Sequence, residues 1–591
     1  MAPAQLTRVP PSHDAETAVI VPPEAVFPGL RADEAALIEL LRGLSRTDTL
    51  FWCARANLTV AGAGDLTPKE RQQRLLISLS TPDEIRRINI FGQDHGGVDR
   101  VRVFFRGQLL ELMRWVSEHS ADHPGDGETF NDPEVRRRFV QAALIAAALW
   151  SERVFRDRFT LDGGIEAARR RGLAPIRKSI EESGTAPERQ NSLGRGWILF
   201  SEHLPRRYSA LAPEFRAATG LTLEEYFVCV AALTVQYLGP AAATPIMNWR
   251  TAANATAYRE VFPRYVELES HTVSELASAF RSGDAGYREL REGPILRTED
   301  DRAIVLDPVF FSERGSVGPL FHLIGARNPG ANANRIFGAF GLAFEDYAAD
   351  ILTRMYPRGA ALVSRLALNV EGRDGAGTPF EIDAVLNDAT EIVVFETKAA
   401  WLREDRIRDD TPEEYLEHLR EKYGVRVARS PCERAKGVGQ LARSVDAIAN
   451  GDWLGGADEY RAAEKIYPVL VVHDALLGAP VYGNFLAREF EELLRSRMRR
   501  GESRRRVTIA PLTVMTIAEL EALEESVNHF ALRDLLRDYS RECPDRLRSL
   551  HNFIAFSSYG GTMYQSAHLT RKTGLLLKRT QEMLFPEGIE P

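Results

Sequence analysis

The chain has 591 residues, a formal net charge of −8 and an ordinary balance of 44% hydrophobic and 27% charged residues. This length predicts about two to four domains, and the modest negative charge argues against a protein that coats nucleic acid through its overall charge. Its four scattered cysteines form no C-x-x-C pair, which excludes a closely spaced zinc site and favours a reducing cytoplasm over a disulfide framework.

We expect a soluble, cytoplasmic protein that does not enter a membrane. No apolar run reaches the roughly 18–20 residues that a membrane helix needs, and FVQAALIAAALW at 139–150 is better explained as a core helix. The first 30 residues have no basic segment followed by an apolar one, so they do not predict a secretory signal.

The hydrophobic pattern divides the chain into five segments. Residues 1–30 are rich in Pro and small residues and predict a flexible or loosely docked tail. Residues 31–300 predict one or more helical domains for sensing, recognition or oligomerisation. Residues 301–335 predict a linker with a short strand, 336–525 an α/β domain, and 526–591 a helical C-terminal extension.

The helical region is predicted from apolar residues that recur at three- and four-residue spacing. Its clearest helices are predicted at 32–44, 101–120, 133–155 and 221–238. Gly43 is a plain stop signal for the first helix. Thr222, with Glu225 three residues later, predicts a capping box at the start of the last one.

From residue 336 onward, helical patterns alternate with short β-rich runs. The runs are ALVSRLALNV (361–370), PFEIDAVLND (379–388), EIVVFETKA (391–399), KIYPVLVVHD (465–474) and RVTIAPLTVMTI (506–517), and helices are predicted at 434–450 and 481–499. This alternation predicts a mixed central sheet flanked by helices. The turn-like NDAT at 387–390 predicts that the second and third runs form a hairpin.

The predicted hairpin brings together residues that can carry chemistry. Glu396 and Lys398 alternate at the end of a very apolar strand, and Asp383 lies on the preceding strand. Charged groups in such a setting need a partner, water or a metal ion. Two convergent carboxylates suit a hard divalent cation such as Mg²⁺, and a nearby Lys can position the attacking water. The alternative is a structural ion pair at a strand end.

These residues resemble the PD-(D/E)XK nuclease superfamily, which includes restriction endonucleases and RecB-like nuclease domains. Asp383 matches the first acidic position, and Glu396, Thr397 and Lys398 match the E-x-K tripeptide, whereas Ile382 replaces the Pro of the "PD" dipeptide. The resemblance covers about 336–525 and implies a restriction-endonuclease-like fold. It implies Mg²⁺ or Mn²⁺ held by Asp383, Glu396 and the Thr397 carbonyl, and catalysis with Lys398.

Two further positions fit the same resemblance. Glu345 lies on a small, apolar stripe of the predicted preceding helix, and a carboxylate there needs a partner, either the metal or an Arg. Gln440, on the helix after the E-x-K strand, resembles the Gln with which RecB-like nucleases hold the active site; a solvated polar stripe is the alternative. Glu381 is a weaker candidate, for which a salt bridge across the sheet is the alternative.

Basic residues predict where nucleic acid would bind. The segment RSRMRRGESRRR at 495–506 has seven arginines in twelve residues, and arginine suits phosphate contacts. The candidate nucleic-acid contacts are Arg499, Arg500, Arg504, Arg505 and Lys436. A solvated turn between helix and strand is the alternative. The chain has no Walker A pattern, which argues against an ATPase or helicase.

The sequence therefore predicts a metal-dependent endonuclease that hydrolyses phosphodiester bonds, with DNA favoured over RNA. A large helical region joined to such a domain is typical of bacterial restriction and anti-phage defence proteins, by analogy of architecture alone. Two alternatives stay open: a non-catalytic protein that binds nucleic acid or a partner, and a DNA repair or recombination nuclease. Such an enzyme must be restrained in its own cell. Activation by a protein partner or by homo-oligomerisation would provide this restraint.

Overall fold

The structure is a computed structural model of the chain. It describes residues 19–61, 67–122, 131–155, 173, 177, 189–238, 247–254, 256–282, 287–325, 331–357, 364–373, 377, 379–402, 412–425, 436–451, 460, 462–498 and 507–586. The chain divides into two compact units. The sheet unit comprises the described residues of Ile198–Leu211 and Asn328–Lys572, and the helical unit comprises those of His13–Trp197, Ala212–Arg327 and Thr573–Pro591.

The first part of the helical unit begins at a short strand and continues as helices. Its elements are β1 Val19–Ile20, α1 Pro23–Val26, α2 Glu34–Arg42, α3 Arg46–Val60, α4 Pro68–Leu79, α5 Pro82–Asp94, β2 Val101–Arg102, α6 Arg106–His119 and α7 Pro133–Phe155. The prediction of a flexible tail over 1–30 is wrong for its described part, because β1 pairs with β2 and the side chains of Val21 and Val26 are fully buried. Residues 1–18 lie outside the described residues.

The chain continues with shorter elements. They are α8 Arg189–Ile198, a π-helical turn Leu199–His203, α9 Leu204–Arg207, α10 Leu211–Thr219, α11 Leu223–Leu238, β3 Met247–Asn248, α12 Trp249–Asn254, α13 Val261–Leu268, β4 Ser270–Thr272, α14 Val273–Ser282, α15 Arg288–Glu292, β5 Ile295–Arg297, β6 Arg302–Val305 and α16 Pro308–Gly325. Strands β3, β6, β5 and β4 form a small sheet in that order. The predicted capping box of α11 is confirmed, since the backbone N–H groups of Thr222 and Glu225 each donate to the other side chain at 2.7 and 3.1 Å.

Helix α16 occupies the segment that the sequence predicted as a linker. Asp307 caps the helix by accepting a hydrogen bond from the Phe310 N–H at 2.8 Å, and Pro308 follows at the first helical position. Phe310 and Phe311 are buried. The same Asp307 forms a buried ion pair with Arg106 at 2.6 Å. Residues 308–325 are therefore a core helix of the helical unit.

The sheet unit is built around a six-stranded mixed sheet. Its elements are α17 Ala331–Met355, β7 Arg365–Arg373, β8 Pro379–Asp388, β9 Glu391–Lys398, α18 Pro412–Tyr423, α19 Val438–Asn450, β10 Lys465–Val472, α20 Pro480–Met498, β11 Thr508–Ile509, β12 Thr513–Thr516, α21 Ile517–Leu523, α22 Leu532–Glu542 and α23 Leu550–Ala555. The last helix, α24 Ala567–Leu584, belongs to the sheet unit up to Lys572 and to the helical unit from Thr573. The strand order is β11-β10-β9-β8-β7, and β12 also pairs with β10. Strands β7, β8 and β9 are antiparallel neighbours, whereas β9, β11 and β12 run parallel to β10. The predicted mixed sheet with helices is confirmed.

Pro468 explains why the strand next to β10 is divided into β11 and β12. The carbonyl oxygens of Glu464 and Ile466 accept hydrogen bonds from that neighbouring strand. Pro468, two residues further along β10, faces the same side but has no N–H to donate. Arg546 fills the resulting gap: its guanidinium donates to the carbonyl oxygens of Pro511 at 2.6 Å and Leu512 at 3.0 Å. The buried arginine thus satisfies backbone acceptors that the divided strand leaves open.

In the described part of the chain, no single helix is both long and apolar enough to cross a membrane. One bent pair, Leu211–Thr219 with Leu223–Tyr237, meets the criteria of length and composition only when the two are taken together.

Candidate metal centre

Strands β8 and β9 form the predicted hairpin, and its register brings the first two acids together. The strands pair from Asp388 with Glu391 to Ala384 with Phe395. Asp383 and Glu396 are the next residues along the two strands. The Thr397 N–H donates to the Asp383 carboxylate at 2.6 Å. The predicted convergence of Asp383 with the E-x-K tripeptide is therefore present in the structure.

Glu396 is the most buried acid of this group. Its side chain lies in a central strand between β8 and β10 and is 3% exposed. Burial raises the pKa of Glu396 well above its ordinary value, and the neighbouring Asp383 carboxylate raises it further, whereas Lys398 acts in the opposite direction. An ionised Glu396 at this position needs a cation beside it.

The other two acids respond to the same surroundings. Burial raises the pKa of Asp383 from 3.8 to about 6, against the lowering effects of the Thr397 N–H and of Lys398. Helix α17 packs on β9 and carries Glu345. Burial, followed by the charge of Asp383, raises the pKa of Glu345 from 4.5 to about 7. Lys398 again acts in the lowering direction. The structure therefore brings Glu345, Asp383, Glu396 and Lys398 into one electrostatic environment.

A backbone donor that the sequence did not predict completes the surroundings of Glu396. The N–H of Gly437, immediately before α19, donates to the Glu396 carboxyl group. Gly437 has a φ of 52°, and a Cβ there would collide with the Tyr423 carbonyl oxygen. In the sequence Gly437 lies inside the helix predicted at 434–450, whereas the observed helix begins at Val438, so the pattern did not indicate this backbone donor.

Gln440 holds the hairpin rather than the acids themselves. Its Nε2 donates to the carbonyl oxygen of Glu381 at 2.9 Å, two residues before Asp383. This bond ties α19 to the start of β8. The Glu381 side chain is exposed and lies opposite Glu371 of β7, another acid, so the cross-strand neighbour offers no salt bridge.

Of the five candidate nucleic-acid contacts, the structure describes one. Lys436 is exposed directly before Gly437, on the side of the sheet unit where α19 begins. Arg499, Arg500, Arg504 and Arg505 lie outside the described residues.

The carboxylates of this site are the kind of donor that suits a hard divalent cation with few protein ligands. Within the described ranges, no group of three or more His, Cys, Asp or Glu side chains is close enough together to hold a metal ion. Glu345 therefore joins Asp383 and Glu396 through its charge but not as a third converging ligand. Mg²⁺ is commonly bound by one or two carboxylates and keeps several waters. Asp383 and Glu396 are two such carboxylates on neighbouring strands, and the Thr397 N–H is bonded to the first of them.

Comparison with protein-family models, with curated proteins and with solved structures finds no match for this chain.

Proposed function

We propose that the sheet unit is a metal-dependent nuclease of the PD-(D/E)XK type. The observation that carries the proposal is the hydrogen bond from Thr397 to Asp383, because it joins the first acid to the E-x-K tripeptide. The order of elements supports it: an acid-bearing helix, an antiparallel hairpin, a helix that carries Gln440 and a parallel strand. This order agrees with what the resemblance implied from the sequence.

The three raised pKa values also support a cation site. Carboxyl groups that are buried close together keep their protons to higher pH, because their negative charges repel each other. A divalent cation offsets this repulsion. Metal binding should therefore release protons from Asp383, Glu345 or Glu396. A purely structural role would favour direct ion pairs, as Asp307 makes with Arg106 in the helical unit.

Each residue has a distinct task in the proposed reaction. Asp383, Glu396 and the Thr397 carbonyl would hold Mg²⁺ or Mn²⁺, with Glu345 supplying further negative charge. When bound, the cation would lower the pKa of water and offset charge on the phosphodiester. Lys398 would orient the attacking water and offset negative charge that develops on the phosphate oxygens. Gln440 and Gly437 would keep the two acids in place.

DNA is the proposed substrate, and restriction or anti-phage defence the proposed setting, with the helical unit supplying recognition. The test uses the full-length protein with supercoiled plasmid, linear duplex, single-stranded DNA and RNA, in Mg²⁺ or Mn²⁺. Lys398→Ala should lower cleavage by roughly 10²–10⁴-fold and retain Mn²⁺ binding. Asp383→Asn should lose both.

Glu371→Gln is the matched control, since it neutralises an exposed acid on the neighbouring strand β7. This variant should cleave as the wild type does. Mn²⁺ binding can be followed by calorimetry, independently of cleavage. A wild-type protein that neither binds Mn²⁺ nor cleaves any substrate would leave the non-catalytic alternative, in which the fold binds nucleic acid or a protein partner.

A further inference from the structure

A segment from far upstream in the sequence contacts the helix that carries Glu345. The π-helical turn Leu199–His203 and the following α9 belong to the sheet unit and pack on α17. Arg335 of α17 donates to the Tyr208 hydroxyl at 2.7 Å, and the rings of His203 and Tyr347 meet edge to face at 5.8 Å. These contacts place α9 beside the turn of α17 that holds Glu345.

Arg207, the last residue of α9, forms the most specific of these contacts. Its Nε donates to one carboxylate oxygen of Asp346 at 2.7 Å, and its Nη2 donates to the other at 2.6 Å. Such a two-bond arrangement fixes the direction of the carboxylate, which a single bond would not do. The pKa of Arg207 is raised by this hydrogen bond, and the charges of Asp346 and Glu345 also raise it.

Asp346 is the immediate neighbour of Glu345, and the two acids leave α17 in different directions. Adjacent residues on an α-helix are separated by roughly 100° around its axis. Glu345 lies within the influence of Asp383 and Lys398, whereas Asp346 is bonded to Arg207. The charge of Asp346 nevertheless raises the pKa of Glu345, so the two carboxylates interact. A free Asp346 carboxylate would therefore add a second negative charge beside the metal site and attract the cation toward itself.

We propose that Arg207 is a positioning residue of the metal site: by pairing with both oxygens of Asp346, it keeps this acid away from the cation that Glu345 faces. The inference rests on the proposed nuclease function. Glu345 and Asp346 are adjacent acids that the sequence of α17 alone does not distinguish, but only Asp346 is paired with Arg207. Arg207 acts through Asp346 and touches neither the cation nor the substrate.

The test combines metal binding with cleavage in a double-mutant cycle. Arg207→Gln removes the positive charge and frees Asp346, so Mn²⁺ should bind roughly three- to tenfold more tightly, with an altered Mn²⁺ electron paramagnetic resonance spectrum. The kcat should fall about tenfold, because the cation moves toward Asp346. Arg207→Lys keeps the charge but loses the two-bond geometry and should recover only part of kcat.

Asp346→Asn should behave as the wild type, and Arg207→Gln in that background should then have no further effect. Arg206→Gln is the matched control, since it removes an exposed arginine one residue away. A wild-type Mn²⁺ affinity and kcat in Arg207→Gln would overturn the inference. It would also be overturned if the double variant kept the full loss of kcat, which would mean that Arg207 only docks α9. Absence of Mn²⁺ binding and cleavage in the wild type would instead overturn the proposed function and this inference with it.

Discussion

Asp383→Asn should stabilise the metal-free protein at alkaline pH although it removes a proposed metal ligand. In the folded protein the pKa of Asp383 is raised from 3.8 to about 6. The native state then keeps its proton at pH values where the unfolded chain has lost it. The stability associated with protonated Asp383 is fully present below pH 3.8 and is lost as the pH rises through 6.

The magnitude follows from the size of this pKa rise. At 1.36 kcal/mol per pKa unit, the rise lowers the free energy of unfolding by about 3 kcal/mol at pH 8. Asparagine does not ionise, and its Oδ1 can still accept the hydrogen bond from Thr397. We therefore expect Asp383→Asn to be more stable than the wild type by about 2–3 kcal/mol at pH 8, and the gap to grow by about 1.5 kcal/mol between pH 5 and pH 8.

Urea unfolding with a chelator at several pH values measures this gap. Hydrogen exchange of peptides from β8 and β9 reports the sheet unit separately from the helical unit. If Asp383 is a ligand, as proposed, added Mg²⁺ should stabilise the wild type at pH 8 and leave Asp383→Asn unchanged. The reasoning would be refuted by a stability gap that is constant across pH, or by a variant that is less stable at pH 8.

Three further substitutions test the residues around the acids. Gly437→Ala places a Cβ against the Tyr423 carbonyl oxygen at a φ of 52° and should lower the free energy of unfolding by about 1–3 kcal/mol; an unchanged urea midpoint would contradict this. Gln440→Ala loses its bond to the Glu381 carbonyl and should lower stability by about 0.5–1.5 kcal/mol and also lower kcat, whereas a loss of stability alone would make Gln440 purely structural. Arg546→Met leaves several buried carbonyl groups without a donor and should cost at least about 3 kcal/mol in thermal or urea unfolding.

The hairpin could be predicted because its signals are local. Alternation along β8 and β9 fixes which side chains share a face, and the two-residue turn at Ala389 and Thr390 fixes the register. Once the register is fixed, Asp383 and the E-x-K tripeptide must meet. The apolar stripe of its helix singled out Glu345 as a carboxylate in need of a partner; that the helix packs on β9 is known only from the structure.

The remaining features depend on contacts that no local pattern records. Gly437 contributes a backbone N–H, which every residue except proline has, so only the fold shows that it meets Glu396. Arg207 reaches Asp346 from a segment 139 residues away in sequence. Helix α16 contains Gly315, Gly318 and Pro319, which disfavour a helix locally. The burial of its phenylalanines outweighs that preference, and burial is a property of the whole unit.

The burial of Glu396, a proposed metal ligand, should also destabilise the metal-free site. A central strand excludes water from Glu396, and this exclusion raises the pKa that a cation would lower again. Metal binding and folding of the sheet unit should therefore be linked, as protons leave and the cation takes over their charge. Protection by Mg²⁺ should be concentrated in β8, β9 and the start of α19, where Asp383, Glu396 and Gly437 lie. Uniform protection across the sheet unit would instead point to a cation bound elsewhere.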